Sequence, residues 1–315
     1  MPELPDVTIY VERIKALAGG QTLKRMLIAS PFILRTAEPR PEAFSGRILR
    51  DVRRMGKRIV LEFEGDLFVA IHLMIAGRLR WLSSGAKVPK KLLLASFEFP
   101  NGTLALTEAG TKHRASLHLV SGSSGLAAFE RGGIDVFEAS PDEFGAALRR
   151  QNRTLKRALT DPNIVDGVGN AYSDEILHRA RLSPFKLTGG LTQAEVGTLH
   201  QAAVQVLTEW IERFGAEVGS GFPEKVTAFR PEMAVHGKYG QPCPVCGAPV
   251  QRIVYADNEA NYCPGCQTGG RVLADRALSQ LLHEDWPRTL EELESMKNEL
   301  PSKGRESPRP ARKCR

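Results

Sequence analysis

The sequence predicts an α+β protein: a β-sandwich with a flanking helix, then a helical half that ends in a small four-cysteine ribbon. Three observations predict it. Strand-like runs bounded by turn residues dominate to about residue 121, and apolar residues at helical spacing dominate from about residue 141. Four of the five cysteines fall in two closely spaced pairs between residues 243 and 266.

The first element is a helix over residues 7–18, where Val7, Tyr10, Val11, Ile14 and Leu17 share one face and Gly19-Gly20 ends it. Residues 58–63 and 67–74 are β-rich runs flanking Glu64-Gly65-Asp66. Residues 92–99 and 103–107 flank Pro100-Asn101-Gly102, a second hairpin signature. The sandwich is assigned to residues 1–125 and the helical part to residues 141–235. Within the latter, Asp161-Pro162 predicts a helix start, and Gly167-Val168-Gly169-Asn170 predicts a tight turn opening onto a helix over 171–180. A long helix follows over 195–214, with Val196, Leu199, Ala203, Val206, Trp210 and Phe214 on one face and Gly215 as its C-cap. Residues 216–235 predict a loop, 236–272 the ribbon, and 273–315 a helix (Val272 to Leu282) followed by a disordered basic tail.

The ribbon motif is Cys243-x2-Cys246-x16-Cys263-x2-Cys266. Two such knuckles present four thiolates that close a tetrahedron on one ion, which predicts one structural Zn²⁺ with no open position for catalysis. Disulfides are the alternative, and nothing else in the chain points to an oxidising compartment. Cys314, in the tail, is incidental.

Composition excludes several classes. Of 315 residues, 42% are hydrophobic and 25% charged, ample for a buried core and too apolar for a disordered chain. No apolar run reaches the roughly 18 residues of a membrane span. The acidic Met-Pro-Glu-Leu-Pro-Asp start carries no secretory pattern, so the expected location is cytoplasmic. The net charge of +7 divides unevenly: +5 in residues 301–315, −4 in 284–300, and +6 over the remaining body. A basic body makes nucleic acid the first partner to consider.

Chemistry concentrates at the amino terminus. Removal of Met1 would leave Pro2 with a secondary amine, and an α-amino group titrating at about 7.7–8.0 has a neutral, nucleophilic fraction at physiological pH. Attack on a sugar C1′ would expel a base and leave an iminium. Glu3, beside it, could protonate the opening ring oxygen or shuttle protons.

MPELPDV at the start, Lys57 at the head of a β-run, IHLMIAGRLR, DGVGNAYSDEIL and the ribbon occur in that order. Together they resemble the formamidopyrimidine-DNA glycosylase/endonuclease VIII family of base-excision repair enzymes, over residues 1 to about 270. The resemblance implies a β-sandwich, a helix–two-turn–helix domain and a zinc ribbon, with damaged double-stranded DNA bound between the halves by a monomer. It implies a glycosylase/AP lyase that removes oxidised bases through a proline Schiff base and cuts the strand by β,δ-elimination. It puts the nucleophile on Pro2, the acid/base on Glu3, and a phosphate contact or proton donor on Lys57. Asp6 takes the place of a second, structural glutamate. Asn170 and Lys156 match phosphate contacts, and Met74 matches the wedge that fills the hole left by a flipped base.

Three stretches depart from that family. Its Arg-Phe wedge pair is absent from Thr107–Ala115, where Lys112, His113 and Arg114 are the candidates to fill the void or hold the opposite strand. The ribbon arginine five residues before the third cysteine is Asn258 here, which brings no charge to a phosphate. The loop Gly219–Arg230, in the place of the base-recognition loop, is also dissimilar. These departures count against 8-oxoguanine as the lesion. Two other classes compete: a noncatalytic damaged-DNA-binding protein on the same scaffold, and a tautomerase-like use of Pro2 as a base.

Overall fold

The computed structural model describes residues 1–83, 86, 91–109, 113–224, 226–255, 258–274 and 287–299. The tail and most of the helix expected over 272–282 lie outside them. Helix α1 (Leu4–Ala18) begins three residues earlier than its apolar periodicity, because Pro5 suits a first turn and the Asp6 carboxylate accepts the Glu3 N–H at 2.8 Å.

Eight strands follow: β1 (Arg25–Ile28), β2 (Leu49–Met55), β3 (Arg58–Phe63), β4 (Leu67–His72), β5 (Gly77–Leu82), β6 (Leu93–Phe99), β7 (Gly102–Glu108) and β8 (Ser116–Ser121). They form two antiparallel four-stranded sheets, ordered β1-β6-β7-β5 and β2-β3-β4-β8. Alternate residues point inward, so Ile59, Leu61, Val69 and Ile71 of one sheet meet Leu79, Phe97, Leu104 and Leu106 of the other. The outer face of β3 and β4 is apolar as well, because Val60, Phe68 and Ala70 pack under Leu126 of α2 (Ser123–Ala127). Strand β4 stops at His72, two residues short of expectation, and Met74 (φ +53°) turns the chain.

The helical half contains α3 (Pro141–Arg149), α4 (Leu155–Thr160), α5 (Asn170–Arg179) and α6 (Gln193–Val218). Phe144, Leu159, Tyr172, Leu199 and Leu207 share its core with Leu4 and Ile9 of α1. Helix α1 therefore has two buried faces: Val7, Tyr10 and Ile14 enter the sandwich, Leu4 and Ile9 the helical core. That one helix joins the halves.

Two expected boundaries are corrected. No helix starts at Asp161. It ends α4, and its carboxylate accepts the Asn163 N–H and pairs with Arg153 at 2.5 Å. Gly215 is not a C-cap either, since α6 runs on to Val218 and Gly219 (φ +52°) ends it. A Cβ at Gly215 would stand 3.7 Å from Ile9 Cδ1, so this glycine marks where α6 crosses α1.

The ribbon is the antiparallel hairpin β9 (Gln251–Tyr255) and β10 (Asn258–Tyr262) with the short α7 (Pro264–Thr268). It docks on α5 and on the turn that follows it, where Gln267 donates to the Leu182 carbonyl at 2.9 Å. Beyond it lies α8 (Leu290–Glu299). Among the described residues no helix is long and apolar enough to cross a membrane.

Candidate active site and zinc centre

Glu3 is buried, and its carboxylate lies across the start of α5. It accepts the N–H groups of Gly169 at 2.6 Å, Ala171 at 2.9 Å and Tyr172 at 3.3 Å. A helix N-terminus leaves its first N–H groups without backbone partners, and its dipole favours a negative charge there. Leu4 N–H donates to the Gly167 carbonyl at 3.0 Å, which ties the same segment to the turn before α5. The amino terminus is thereby fixed to residues more than 160 positions away.

Lys57 arrives from the β2–β3 turn. Gly56 (φ +61°) shapes that turn, and the Asp166 carboxylate accepts Gly56 N–H at 3.1 Å and Arg54 Nη1 at 2.8 Å. Arg54 also pairs with Asp135. Gly169 sits where these segments converge: a Cβ there would lie 2.5 Å from Glu3 Cδ and 2.6 Å from Lys57 Nζ. Only glycine fits. Burial holds the Lys57 amine below its ordinary value, with the Glu3 carboxylate opposing. The Met1 amine is also pulled down by burial, against the Glu3 carboxylate and aided by Arg78. Burial pushes the Asp6 carboxyl up to about 7, and its Oδ1 has no hydrogen-bond partner among the described residues.

Asn170 is the first residue of α5, partly exposed, next to the Glu3 clamp. Lys156, matched to a phosphate contact, is enclosed in this structure. It is buried, and its ammonium donates to the Asn170 carbonyl and to Asp174 Oδ1, both at 2.6 Å. These two bonds fix the backbone that carries Asn170. Asp174 completes the arrangement by accepting from Asn261 at 3.1 Å and facing His236 Nδ1 at 2.8 Å.

The residues matched to the wedge and strand contacts are arranged differently. Met74, expected as the wedge, is partly buried in the left-handed turn, while Ile75 beside it is 54% exposed. Arg78 braces this turn by donating to the Ile75 and Gly77 carbonyls at 3.0 and 2.7 Å. His113 and Arg114 are exposed, and buried Glu108 anchors their loop by accepting the N–H groups of Arg114 and Ala115. Lys112 lies outside the described residues, as does the side chain of Asn258, which opens β10. The loop after α6 is held against α1: Arg13 donates to the Gly221 carbonyl at 2.6 Å, and Phe222 packs 5.7 Å from the Tyr10 ring.

Sequence reasoning missed Asp166, Asp174 and Ile75. Ile75 had a signal, an apolar residue at a turn tip. The two aspartates had none, because their partners are distant in sequence.

The four cysteine thiols are free, with Cys243 and Cys266 sulfurs 3.9 Å apart and those of Cys246 and Cys263 3.3 Å apart. Disulfides are far shorter, at about 2.05 Å. A tetrahedral zinc with Zn–S bonds of about 2.3 Å has sulfur–sulfur edges of about 3.8 Å, which the Cys243–Cys266 spacing matches and the Cys246–Cys263 spacing undershoots. A Cβ at Gly265 would come within 2.9 Å of Cys246 Sγ, so the second knuckle needs its glycine. Zinc held there is a folding element, since all four coordination positions are taken by the chain.

Comparison with known proteins agrees with this architecture. Residues 1–113 match the formamidopyrimidine-DNA glycosylase N-terminal domain, 136–220 its H2TH domain, and 240–269 the zinc finger found in FPG and IleRS. An uncharacterised formamidopyrimidine-DNA glycosylase-like protein of Mycobacterium tuberculosis is 42% identical over 150 residues, covering 48% of this chain and 93% of its own. The formamidopyrimidine-DNA glycosylase of Thermus thermophilus is 34% identical over 284 residues, covering 86% of this chain and all of its own. A solved structure of MutM with DNA containing carbocyclic 8-oxo-G superposes with a TM-score of 0.75 at 26% identity, covering 85% of this chain and 100% of that one. A β-sandwich, an H2TH helical domain and a zinc ribbon, joined through an amino-terminal carboxylate, define a DNA glycosylase of base-excision repair. The chain belongs to the formamidopyrimidine-DNA glycosylase family.

Proposed function

We propose that the chain is a bifunctional glycosylase and AP lyase acting on oxidised bases in duplex DNA, with Pro2 as nucleophile. One observation carries this reading: Pro2 is buried beside Glu3, and Glu3 and Lys57 both reach Gly169 at the start of the helix bearing Asn170. After loss of Met1, the Pro2 nitrogen bonds to C1′ of a flipped nucleotide. The C1′–base bond breaks, and the base leaves with a proton for which the Lys57 ammonium is the nearby donor. Glu3 exchanges a proton with O4′ as the sugar ring opens to the iminium. Loss of a C2′ proton expels the 3′ phosphate, a second elimination expels the 5′ phosphate, and water frees the proline. Pro2 is buried in the structure, and burial disfavours the charged form of an amine exposed there by loss of Met1.

Asn170 serves as a phosphate contact at the helix start. His113 and Arg114, with Lys112 and Asn258, belong to the DNA face. Ile75, better exposed than Met74, supplies the apolar side chain that fills the vacated stack. The protein acts as a monomer in the cytoplasm, on the nucleoid when bound.

The test is borohydride trapping. Mixed with duplex DNA carrying an abasic site and reduced, the protein is expected to give a covalent adduct. The Pro2→Gly variant should give much less. A clear gel shift without adduct would instead make the chain a noncatalytic damage-binding protein.

A further inference from the structure

The buried groups that the proposed chemistry leaves unused cluster on α5, on the face toward the ribbon. Glu175 accepts the N–H groups of Ala234, Val235 and His236, and Asp174 faces His236 and Asn261. One turn further on, His178 is buried with Nε2 3.3 Å from Cys243 Sγ. Its ring nitrogen lies within 4.8 Å of the Cys243, Cys263 and Cys266 sulfurs. Nothing in the cysteine motif announces this residue, which is 65 positions before Cys243.

We infer that His178 is a positioning residue of the zinc centre, donating its Nε2–H to the Cys243 thiolate from outside the metal's tetrahedron. Four thiolates on Zn²⁺ leave a net charge of −2, and a buried charge of that size requires hydrogen-bond donors around it. The other donors named to these sulfurs are backbone groups: Val245 N–H to Cys243 at 3.5 Å, Cys266 N–H to Cys263 at 3.4 Å, and Ala248 N–H to Cys246. His178 is the side-chain donor, and Cys243 is among the most enclosed of the four sulfur ligands. Cys246, 3.3 Å from Cys263, completes the four-thiolate motif although the group of ligand atoms within 4.8 Å of one another holds His178 in its place, so it is the motif's fourth thiolate that leaves the imidazole no coordination position to fill. Because His178 lies on the helix that begins at Asn170, the bond also links metal retention to the placement of that residue.

The inference stands apart from the Pro2 chemistry, and its test reads the metal rather than turnover. The full chain is titrated with a competing zinc chelator, and the cobalt-substituted protein gives the thiolate-to-metal charge-transfer spectrum. His178→Phe, which fills the space without a donor, is expected to bind zinc about 10–100-fold more weakly. His178→Gln, which keeps an N–H, should stay within about threefold of wild type. Cobalt spectra should report four thiolates in all three proteins. Zinc affinity unchanged in His178→Phe would overturn the inference. So would a wild-type cobalt spectrum showing three thiolates and one imidazole, which would make His178 a ligand. Circular dichroism of the zinc-loaded variants separates either result from a failure of α5 to fold.

Discussion

The junction around Gly169 and the surface formed by Ile75, His113 and Arg114 are assigned the same proposed substrate, yet they are held in opposite ways. At the junction, Glu3, Lys57 and Asn170 are fixed by backbone donors, by the buried Lys156–Asp174 pair within the helical half, and by the partly buried Arg54–Asp166 pair that joins the two halves. At the reading surface, Ile75, His113 and Arg114 project into solvent from turns whose bases are braced by Arg78 and Glu108. One departure from the family, the missing Arg-Phe pair, falls on the second region; the first keeps Glu3, Lys57 and Asn170 and changes only beside them, where Asp6 stands for a glutamate. A residue that both performs chemistry and closes the fold has few tolerated substitutes, whereas an exposed loop residue can change without unfolding the protein.

Glu3→Gln gives the sharpest break in that comparison. The amide oxygen can still accept N–H groups of α5, so stability should fall by no more than about 2 kcal/mol. Single-turnover base excision should fall by about 10²–10⁴. Equal losses in thermal stability and rate would reduce Glu3 to a cap.

Lys156→Met tests whether the junction is supported from beneath. Removing one member of a buried pair should cost about 3–5 kcal/mol in denaturant unfolding. The double change Lys156→Met with Asp174→Leu should cost less than the sum of the singles, since neither charge is then left alone. Additivity would mean that the pair does not act as a unit.

His72 lies between the two regions, at the end of β4. Burial, then Arg58 and Lys57, pull its imidazole down to about 4, so the fold holds it neutral. Against an unfolded value of about 6.5, its stabilising contribution is complete above pH 6.5 and is lost as pH falls toward 4. The loss amounts to about 3 kcal/mol at most. Urea midpoints measured across that window should flatten in His72→Gln, and an unchanged slope would assign the acid sensitivity elsewhere.

The smallest effect concerns the reading surface itself. Ile75→Ala should slow excision about tenfold while leaving abasic-site trapping nearly intact, because a missing wedge raises the cost of flipping and not of elimination. Met74→Ala should change excision less than Ile75→Ala does. The reverse order would restore Met74 to the role its position in the motif suggested.

Much of this was legible in the chain before folding. Turn-bounded apolar runs gave the sandwich, helical periodicity gave α1 and α6, and cysteine spacing gave the ribbon, because each signal is local. The order of motifs marked Pro2, Glu3, Lys57 and Asn170 as one group, but not what holds them. The boundaries at Asp161 and Gly215 were misjudged because a local turn residue can serve a distant contact instead: a carboxylate pairing with Arg153, a glycine under Ile9.

The sequence by itself determined the element types, the metal site and the chemical candidates, since periodicity and ligand spacing are properties of neighbouring residues. Only the tertiary structure decided that Glu3 spans both halves, that Lys156 is internal, that Ile75 rather than Met74 is exposed, and that His178 reaches Cys243. Those are pairings between residues far apart in the chain. They depend on which faces of α1 and α5 the packed cores leave available, and no local pattern encodes that.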